Sequence, residues 1–504
     1  MGSKEAFFTH IEKGYTTKGD YINMGAAMLD GSPLTNAFVK IPLKTLNRHG
    51  LIAGATGTGK TKTLQILAEN LSEKGIPVLL MDLKGDLSGL AKPGNHHPKI
   101  KERHDHIGFP YQPKKFPIDV LTLSEQGGVR LRATVSEFGP VLLSRILDLT
   151  DTQQGIVAVL FKYCDDNKLP LLDLKDFKKI LQYATSEGRE EFQKAYGRIS
   201  TSSTGAILRK IIELEQQGVD LFFGEKSFEV EDLTRIDENG QGIINIIRLT
   251  DIQDKPKLFS TFMLSLLAEV YATFPEQGDS DRPELVIFID EAHLIFNEAS
   301  DALLDQIESI VKLIRSKGIG LYFVTQNPTD IPDAVLSQLG LKIQHALRAF
   351  TAKDRKAIKL TAENYPISDF YDTAEVLTSL GIGEALISAL DEKGRPTPLA
   401  ATMLRAPMSR MDVLTKDELQ EVLDNSSLIP KYNETVDRES AYELLNQKIQ
   451  IAQTEAAQEK AAEQQKKVTK ASRSSSKKMD PIVKVLTSAT FIRGVMGILN
   501  KMMR

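Results

Sequence analysis

Residues 50–71, "GLIAGATGTGKTKTLQILAENL", constrain this chain more than any other stretch. A short apolar run leads into three closely spaced glycines, a Lys-Thr pair and then apolar residues at helical spacing. That is strand, loop and helix in succession. The glycine and lysine positions follow G-x-x-x-x-G-K-T, with Gly54, Gly59, Lys60 and Thr61 at the defining places. Glycine is needed because the backbone must turn so that consecutive N–H groups point inward at phosphate oxygens. The candidate cradle therefore runs through Gly54, Ala55, Thr56, Gly57, Thr58, Gly59, Lys60, Thr61 and Lys62. Lys60 would bring a point charge to the β- and γ-phosphates, and the Thr61 hydroxyl would complete a Mg²⁺ shell. The following helix would turn the positive end of its dipole toward the same anion.

Binding a nucleotide needs no more than this, but hydrolysing one needs carboxylates. "ELVIFIDEAH" supplies them: five apolar residues, Leu285 to Ile289, lead into Asp290 and Glu291. An unbroken apolar run of this length reads as a parallel strand buried on both faces, and ligands collect at the carboxyl ends of such strands. Asp290 would hold Mg²⁺ through a water, and Glu291 would orient or deprotonate the attacking water. His293 reads as a packing or capping residue at the next helix start. A second apolar run, Leu321 to Val324, ends in Thr325, Gln326 and Asn327, and Gln326 is the candidate sensor of the γ-phosphate or its water. "IPVLLMDLKGDLSGL" places Asp82 at a strand end with Lys84 and Asp86 just beyond. Those three either tune the Mg²⁺ and water network, with Asp82 as a metal ligand, or simply build a turn.

Taken together, "HGLIAGATGTGKT", "LLMDLKGDLSGLA", "VIFIDEAH" and "GLYFVTQNPTDIP" resemble the HerA/FtsK-type P-loop ATPases. Within them the chain is most similar to the bacterial YjgR-like group with its HerA-like helicase C-terminal domain. "RATVSEFGPVLLSRIL", "FFGEKSFEVEDL" and "KIQHALRAFT" extend the likeness over about residues 15–430. The resemblance implies an α/β fold with a RecA-like core and a mostly parallel sheet. It also implies ATP with Mg²⁺ as the nucleotide pair, a hexameric ring of identical subunits, and hydrolysis coupled to movement on DNA. An arginine from a neighbouring subunit belongs to the same pattern, and the matching positions are Arg315 in "VKLIRSKGIG" and Arg348 in "HALRAFT". A guanidinium so placed can contribute on the order of 10³–10⁵ in rate. The full HerA-type enzyme carries an N-terminal β-barrel, whereas about 45 residues precede the loop here, room for a hairpin such as "NAFVKIPLKTL".

Elsewhere the pattern divides the chain. Residues 1–45 read as a short β-rich stub, and 46–129 with 236–432 as the ATPase core, "GIINIIRLTD" returning as a strand of it. Residues 130–235 repeat apolar positions at three and four, as in "GAILRKIIELEQQGVDLFF", and read as a helical insertion. "HHPKIKERHDH" lacks regular ligand spacing and reads as a solvated loop rather than a zinc site. Residues 433–480 read as a charged helix and flexible linker. Residues 481–504 read as a basic amphipathic helix aligning Ile482, Leu486, Ala489, Ile492, Met496 and Leu499 on one face.

From Lys460 onward there are eleven Lys/Arg against two Asp/Glu, so that tail suits an anionic membrane surface, a partner groove, a nucleic-acid backbone or the protein's own surface. The net charge of −4 excludes a uniformly basic coat. With Cys164 as the only cysteine there is no intrachain disulfide, and a reducing cytoplasm fits, with a peripheral place at the membrane's inner face as the alternative. No run of 18 apolar residues is present to span a bilayer. Beside the DNA translocase stand two other readings: a motor on the same core that remodels protein or serves secretion, and a nucleotide-dependent switch or scaffold.

Overall fold

The apolar runs of the core become strands of one continuous sheet. In the computed structural model, which describes residues 3–473 apart from 279, 299, 300, 435 and 437, the strands in chain order are β1 (Tyr21–Leu29), β2 (Ser32–Pro42), β3 (Gly50–Ala53), β4 (Val78–Asp82), β5 (Ile118–Thr122), β6 (Val129–Arg130), β7 (Ile244–Arg248), β8 (Leu285–Ile289), β9 (Ile319–Thr325), β10 (Leu341–Gln344), β11 (Glu384–Ser388) and β12 (Ala400–Leu404). Their order across the sheet is β2-β1-β12-β11-β10-β3-β9-β8-β4-β7-β5-β6. From β10 to β6 every neighbouring pair is parallel. From β10 to β2 every pair is antiparallel. This is the mostly parallel α/β arrangement expected for a RecA-like core.

Burial explains the apolar runs. Every residue of β3, β4, β8 and β9 is buried, as strands covered on both faces must be. Side chains alternate between the two faces. Val78, Leu80, Val286, Phe288, Tyr322 and Val324 join one core with Leu64, Leu67 and Leu71 of the helix after β3. Leu79, Ile287, Leu321 and Phe323 are equally buried on the other face, where the Phe323 ring meets Phe296 at 5.5 Å. We label α1 (Ser3–Gly14), α2 (Lys60–Glu73) and α3 (Pro98–Ile107). β3 and β4 follow each other through α2 but are separated in the sheet by β9 and β8. Such a switch in strand order opens a crevice at the carboxyl ends of the strands.

The opening residues are part of this unit. α1 buries Phe7 and Ile11, and β1 extends the antiparallel half by pairing with β12. Between β6 and β7 come helices Val135–Ile146, Asp151–Asp166, Leu174–Tyr183, Arg189–Tyr196 and Thr201–Gln216. Cys164 is buried on the second of these, and burial pushes its thiol pKa up. The histidine-rich stretch is corrected by the structure: it is α3, not a loop. His104 is buried there, with Nδ1 2.7 Å from the Phe109 carbonyl and Nε2 accepting the Ala406 N–H at 3.1 Å. No cluster of three metal-ligating side chains occurs among the described residues.

The chain up to Tyr442 forms one compact unit and residues from Glu443 a second. The second is described only within the helix Ala441–Arg473, exposed over 451–466. The expected amphipathic helix at 481–504 lies outside the described residues. No described helix is long and apolar enough to cross a membrane.

Candidate active site

The loop after β3 is shaped by its neighbours. Gly54 has φ +151°, and a Cβ there would stand 2.5 Å from that of His345, so only glycine fits. Gly59 caps α2 in the left-handed region, with Gly383 close against it. The Ala55 N–H donates to the Ala346 carbonyl at 2.9 Å, and the Gly383 N–H to that of Thr58 at 3.0 Å. The loop is thus tied to the chain after β10 and the chain before β11. The N–H groups of Gly57, Gly59, Lys60 and Thr61 find no acceptor among the described residues. Lys60 folds its ammonium back onto the carbonyls of Gly54 (2.6 Å) and Ala55 (3.1 Å). Converging free amides with a buried lysine fit a polyphosphate. The Thr61 hydroxyl likewise has no protein partner among those residues.

Across the crevice, Asp290 and Glu291 close β8 and are almost fully buried. The Ala292 N–H donates to the Val324 carbonyl of β9 at 3.0 Å, which sets the pair beside the end of that strand. Glu291 adopts φ +48°, a strained conformation for a residue other than glycine and one that concentrates at working sites. Its carboxylate meets the Lys84 ammonium at 2.7 Å and lies 3.3 Å from His293 Nδ1. Burial pushes Asp290 up to about 7, against the Lys84 charge, which favours its ionised form, and with Glu291 and Asp82 acting the same way as burial. Burial lowers the Lys60 pKa, with Lys84 lowering it further and Glu291 and Asp290 opposing. The loop and the carboxylate pair therefore feel one another in a single cleft. Gln326, just past β9, accepts the Thr56 hydroxyl at 3.3 Å and so bridges the two sides.

Other expected residues fall differently. Asp82 accepts the N–H groups of Gly85, Asp86 and Leu87, as a turn-builder does, and burial raises its pKa to about 6. The Lys62 ammonium is directed to the Met411 carbonyl and to Gln65, away from the cradle. Arg315 stands before the amino end of β9. Seven residues of strand, roughly 20 Å, separate it from the crevice. Arg348 follows β10 on the crevice side and is exposed.

Two features had no sequence signal. His345 is buried behind the loop, Nε2 2.8 Å from the Thr63 hydroxyl, and burial holds its pKa down at about 4. Glu69 of α2 lies buried with Arg405 at 3.6 Å and accepts the N–H groups of Met408 and Ser409. Only contacts across hundreds of residues create these sites.

A glycine-rich Lys-Thr loop after β3 and an Asp-Glu pair after β8, on strands separated by β9 alone, make the arrangement of a RecA-like P-loop fold. A family model, helicase HerA-like C-terminal, matches residues 28–498, and the chain belongs to that family. It is 24% identical over 369 residues to the DNA double-strand break repair helicase HerA of Sulfolobus acidocaldarius, covering 70% of this chain and 64% of the relative. The HerA of Saccharolobus solfataricus is 26% identical over 357 residues, with coverage of 70% and 64%. The match thus takes in less than two thirds of these relatives' length. In fold the chain is similar to the plasmid coupling protein TrwB solved with a non-hydrolysable ATP analogue. The TM-score is 0.51, at 15% identity over 79% of this chain and 98% of that one.

Proposed function

We propose that the chain is an ATP-hydrolysing motor that acts on DNA as a ring of identical subunits. One observation carries the reading: the free loop amides with Lys60, the Asp290–Glu291 pair and Gln326 share one crevice at the carboxyl ends of β3, β8 and β9. Lys60 exchanges the Gly54 and Ala55 carbonyls for phosphate oxygens. Glu291 gives up Lys84 and takes the attacking water as general base. Gln326 orients that water and senses the γ-phosphate. Thr61 and Asp290, with Asp82 at the edge, would hold Mg²⁺, which neutralises charge on the β- and γ-phosphate oxygens. An arginine from a second copy completes the charge balance. Arg315 can serve only another subunit's nucleotide, and Arg348 stands on the crevice rim. DNA as substrate is supported by the HerA relatives, whose names state DNA repair.

The test is steady-state ATP turnover of the purified chain with and without DNA, its mass in solution recorded alongside. Turnover should rise with DNA, and the stimulation should fade as salt screens phosphate contacts. Glu291→Gln should keep nucleotide binding and lose about 10²–10⁴ in turnover. A Glu291→Gln protein hydrolysing ATP at the wild-type rate would remove Glu291 from the mechanism.

A further inference from the structure

Past β10, from Arg348 on the crevice rim onward, the chain presents a surface whose other residues have no part assigned at the nucleotide. Phe350 is 86% exposed. Its backbone is fixed: the N–H groups of Phe350 and Thr351 donate to one Asp354 carboxylate oxygen at 2.9 and 2.7 Å. The Asp354 N–H returns a bond to the Thr351 hydroxyl at 3.2 Å, closing a capping box on the helix Ala352–Glu363. A single exposed aromatic is ordinary. The company it keeps is not. Arg348, Lys353, Arg355, Lys356 and Lys359 flank it along the chain, all exposed, and none is ion-paired or hydrogen-bonded through its side chain among the described residues. On the helix, Ile358 and Thr361 turn inward, which places Arg355, Lys356 and Lys359 together on the opposite face. Residues 348–363 carry five Lys/Arg against two carboxylates in a chain whose net charge is −4.

We propose that Phe350 and this cationic helix face bind a single strand of nucleic acid, the ring stacking on an unpaired base and the cations meeting successive phosphates. Stacking on an aromatic needs a base freed from its duplex, and cations flanking the ring follow the backbone on either side. A membrane surface suits the patch less well, because bilayer binding needs a continuous apolar stripe, whereas the exposed Phe350 and Leu360 stand ten residues apart with four cations between them in the chain. Residues three and four apart on a helix lie about 5–6 Å from one another, close enough to track one backbone. The inference rests on the DNA-acting reading and names the surface that would serve it.

The experiment is fluorescence anisotropy of a labelled single-stranded oligonucleotide with the full chain over a range of salt. ATP turnover without DNA is measured in parallel. Phe350→Ala should weaken binding by about tenfold, the loss of one stacked base. Lys356→Ala with Lys359→Ala should reduce the slope of log affinity against log salt by about 1.4, roughly 0.7 for each lost phosphate contact. Basal turnover should stay at the wild-type level in both.

If wild type binds the oligonucleotide and both variants match it in affinity and slope, the surface assignment is overturned and the DNA reading stands. If wild type binds no single-stranded oligonucleotide, the surface assignment is overturned, and the DNA reading is decided separately by whether DNA raises turnover. If binding is lost along with a drop in assembly mass, the patch is a contact between copies, which also overturns the proposal. Anionic vesicles that bind wild type and release Phe350→Ala, with oligonucleotide affinity unchanged, would overturn it in favour of a membrane.

Discussion

The two halves of the sheet contribute differently to one site. The parallel half, β3 with β9, β8 and β4, brings the groups that would do chemistry: Lys60, Thr61, Asp290, Glu291 and Gln326. The antiparallel half and the chain flanking it bring supports. His345 backs the loop, Gly383 ties it, and Arg405 after β12 reaches Glu69 in the helix that the loop starts. The difference is one of cost as well as role. In the parallel half, buried carboxylates lie side by side, and burial outweighs the charges of Lys84 and Lys60 near them, so the folded state is held there against its own electrostatics. In the supporting half, His345, Gly383 and Arg405 each hold a hydrogen-bond or ion-pair partner that favours the fold. If this division is right, removing a support should loosen the fold and the loop, whereas neutralising a chemical group should steady the fold.

The largest effect is expected at the Glu69–Arg405 pair. Burial raises the Glu69 pKa and lowers that of Arg405, and each charge offsets part of the cost of burying the other. Arg405→Met should destabilise the protein by about 3–5 kcal/mol, the usual penalty for leaving one buried charge alone. Glu69→Met made in the same chain should recover much of that loss, because an apolar pair replaces an ionic one at small net cost. Urea unfolding midpoints of the two variants read this directly. A double variant no more stable than Arg405→Met would mean that the hydrogen bonds from Glu69 to residues 408 and 409 matter more than the charge balance.

The contrast also explains which parts were legible in the sequence. The parallel half announces itself locally. β3, β4, β8 and β9 are short apolar runs ending in glycine or polar residues, and the functional groups sit at their carboxyl ends. What local pattern could not supply was order, since β9 lies between β3 and β8 only through pairings that no single segment encodes. The supporting half is quieter. β11 and β12, "EALIS" and "AATML", are rich in Ala, Ser and Thr and show no clear alternation. α3 was masked by its polar residues: two histidines before it and two within it, with two acids, hide a helix held by a proline at its first turn and by His104 pointing inward. His345 and Arg405 look like ordinary polar residues near strand ends. Their partners, Thr63 and Asn70, are 282 and 335 residues away.

Neutralising Asp290 is the test on the chemical side, and its sign depends on pH. The folded carboxyl titrates at about 7 and the unfolded one near 3.8. Below about 3.8 both states carry the proton and the group is neutral to stability. As pH rises toward 7 the unfolded chain releases that proton and the folded chain keeps it, so stability falls, by about 1.4 kcal/mol per pH unit. Asp290→Asn removes this penalty. It should be more stable than wild type at pH 8, with the advantage shrinking to nothing by about pH 4. His49, buried and held at about 4 from an ordinary 6.5, acts in the opposite sense in both proteins. There the unfolded state takes up protons first, and stability is lost as pH falls from 6.5 to 4. Comparing the two proteins at each pH cancels the histidine. A stability difference that does not vary between pH 4 and 8 would show that Asp290 is not strained by burial.

The smallest effect belongs to His345, and it separates support from chemistry most cleanly. His345→Ala removes the partner of the Thr63 hydroxyl and the ring behind Gly54 and Gly59, without touching any group placed on the nucleotide. The loop should then sample more conformations, and each productive binding event must order it again. One lost hydrogen bond of about 1 kcal/mol corresponds to roughly a fivefold rise in nucleotide KM. Turnover at saturating ATP should stay near wild type, because Lys60, Glu291 and Gln326 are unchanged once the loop is seated. Should kcat fall while KM holds, His345 would act on the reacting groups themselves, and the line between the supporting half and the chemical half would have to be redrawn through β10.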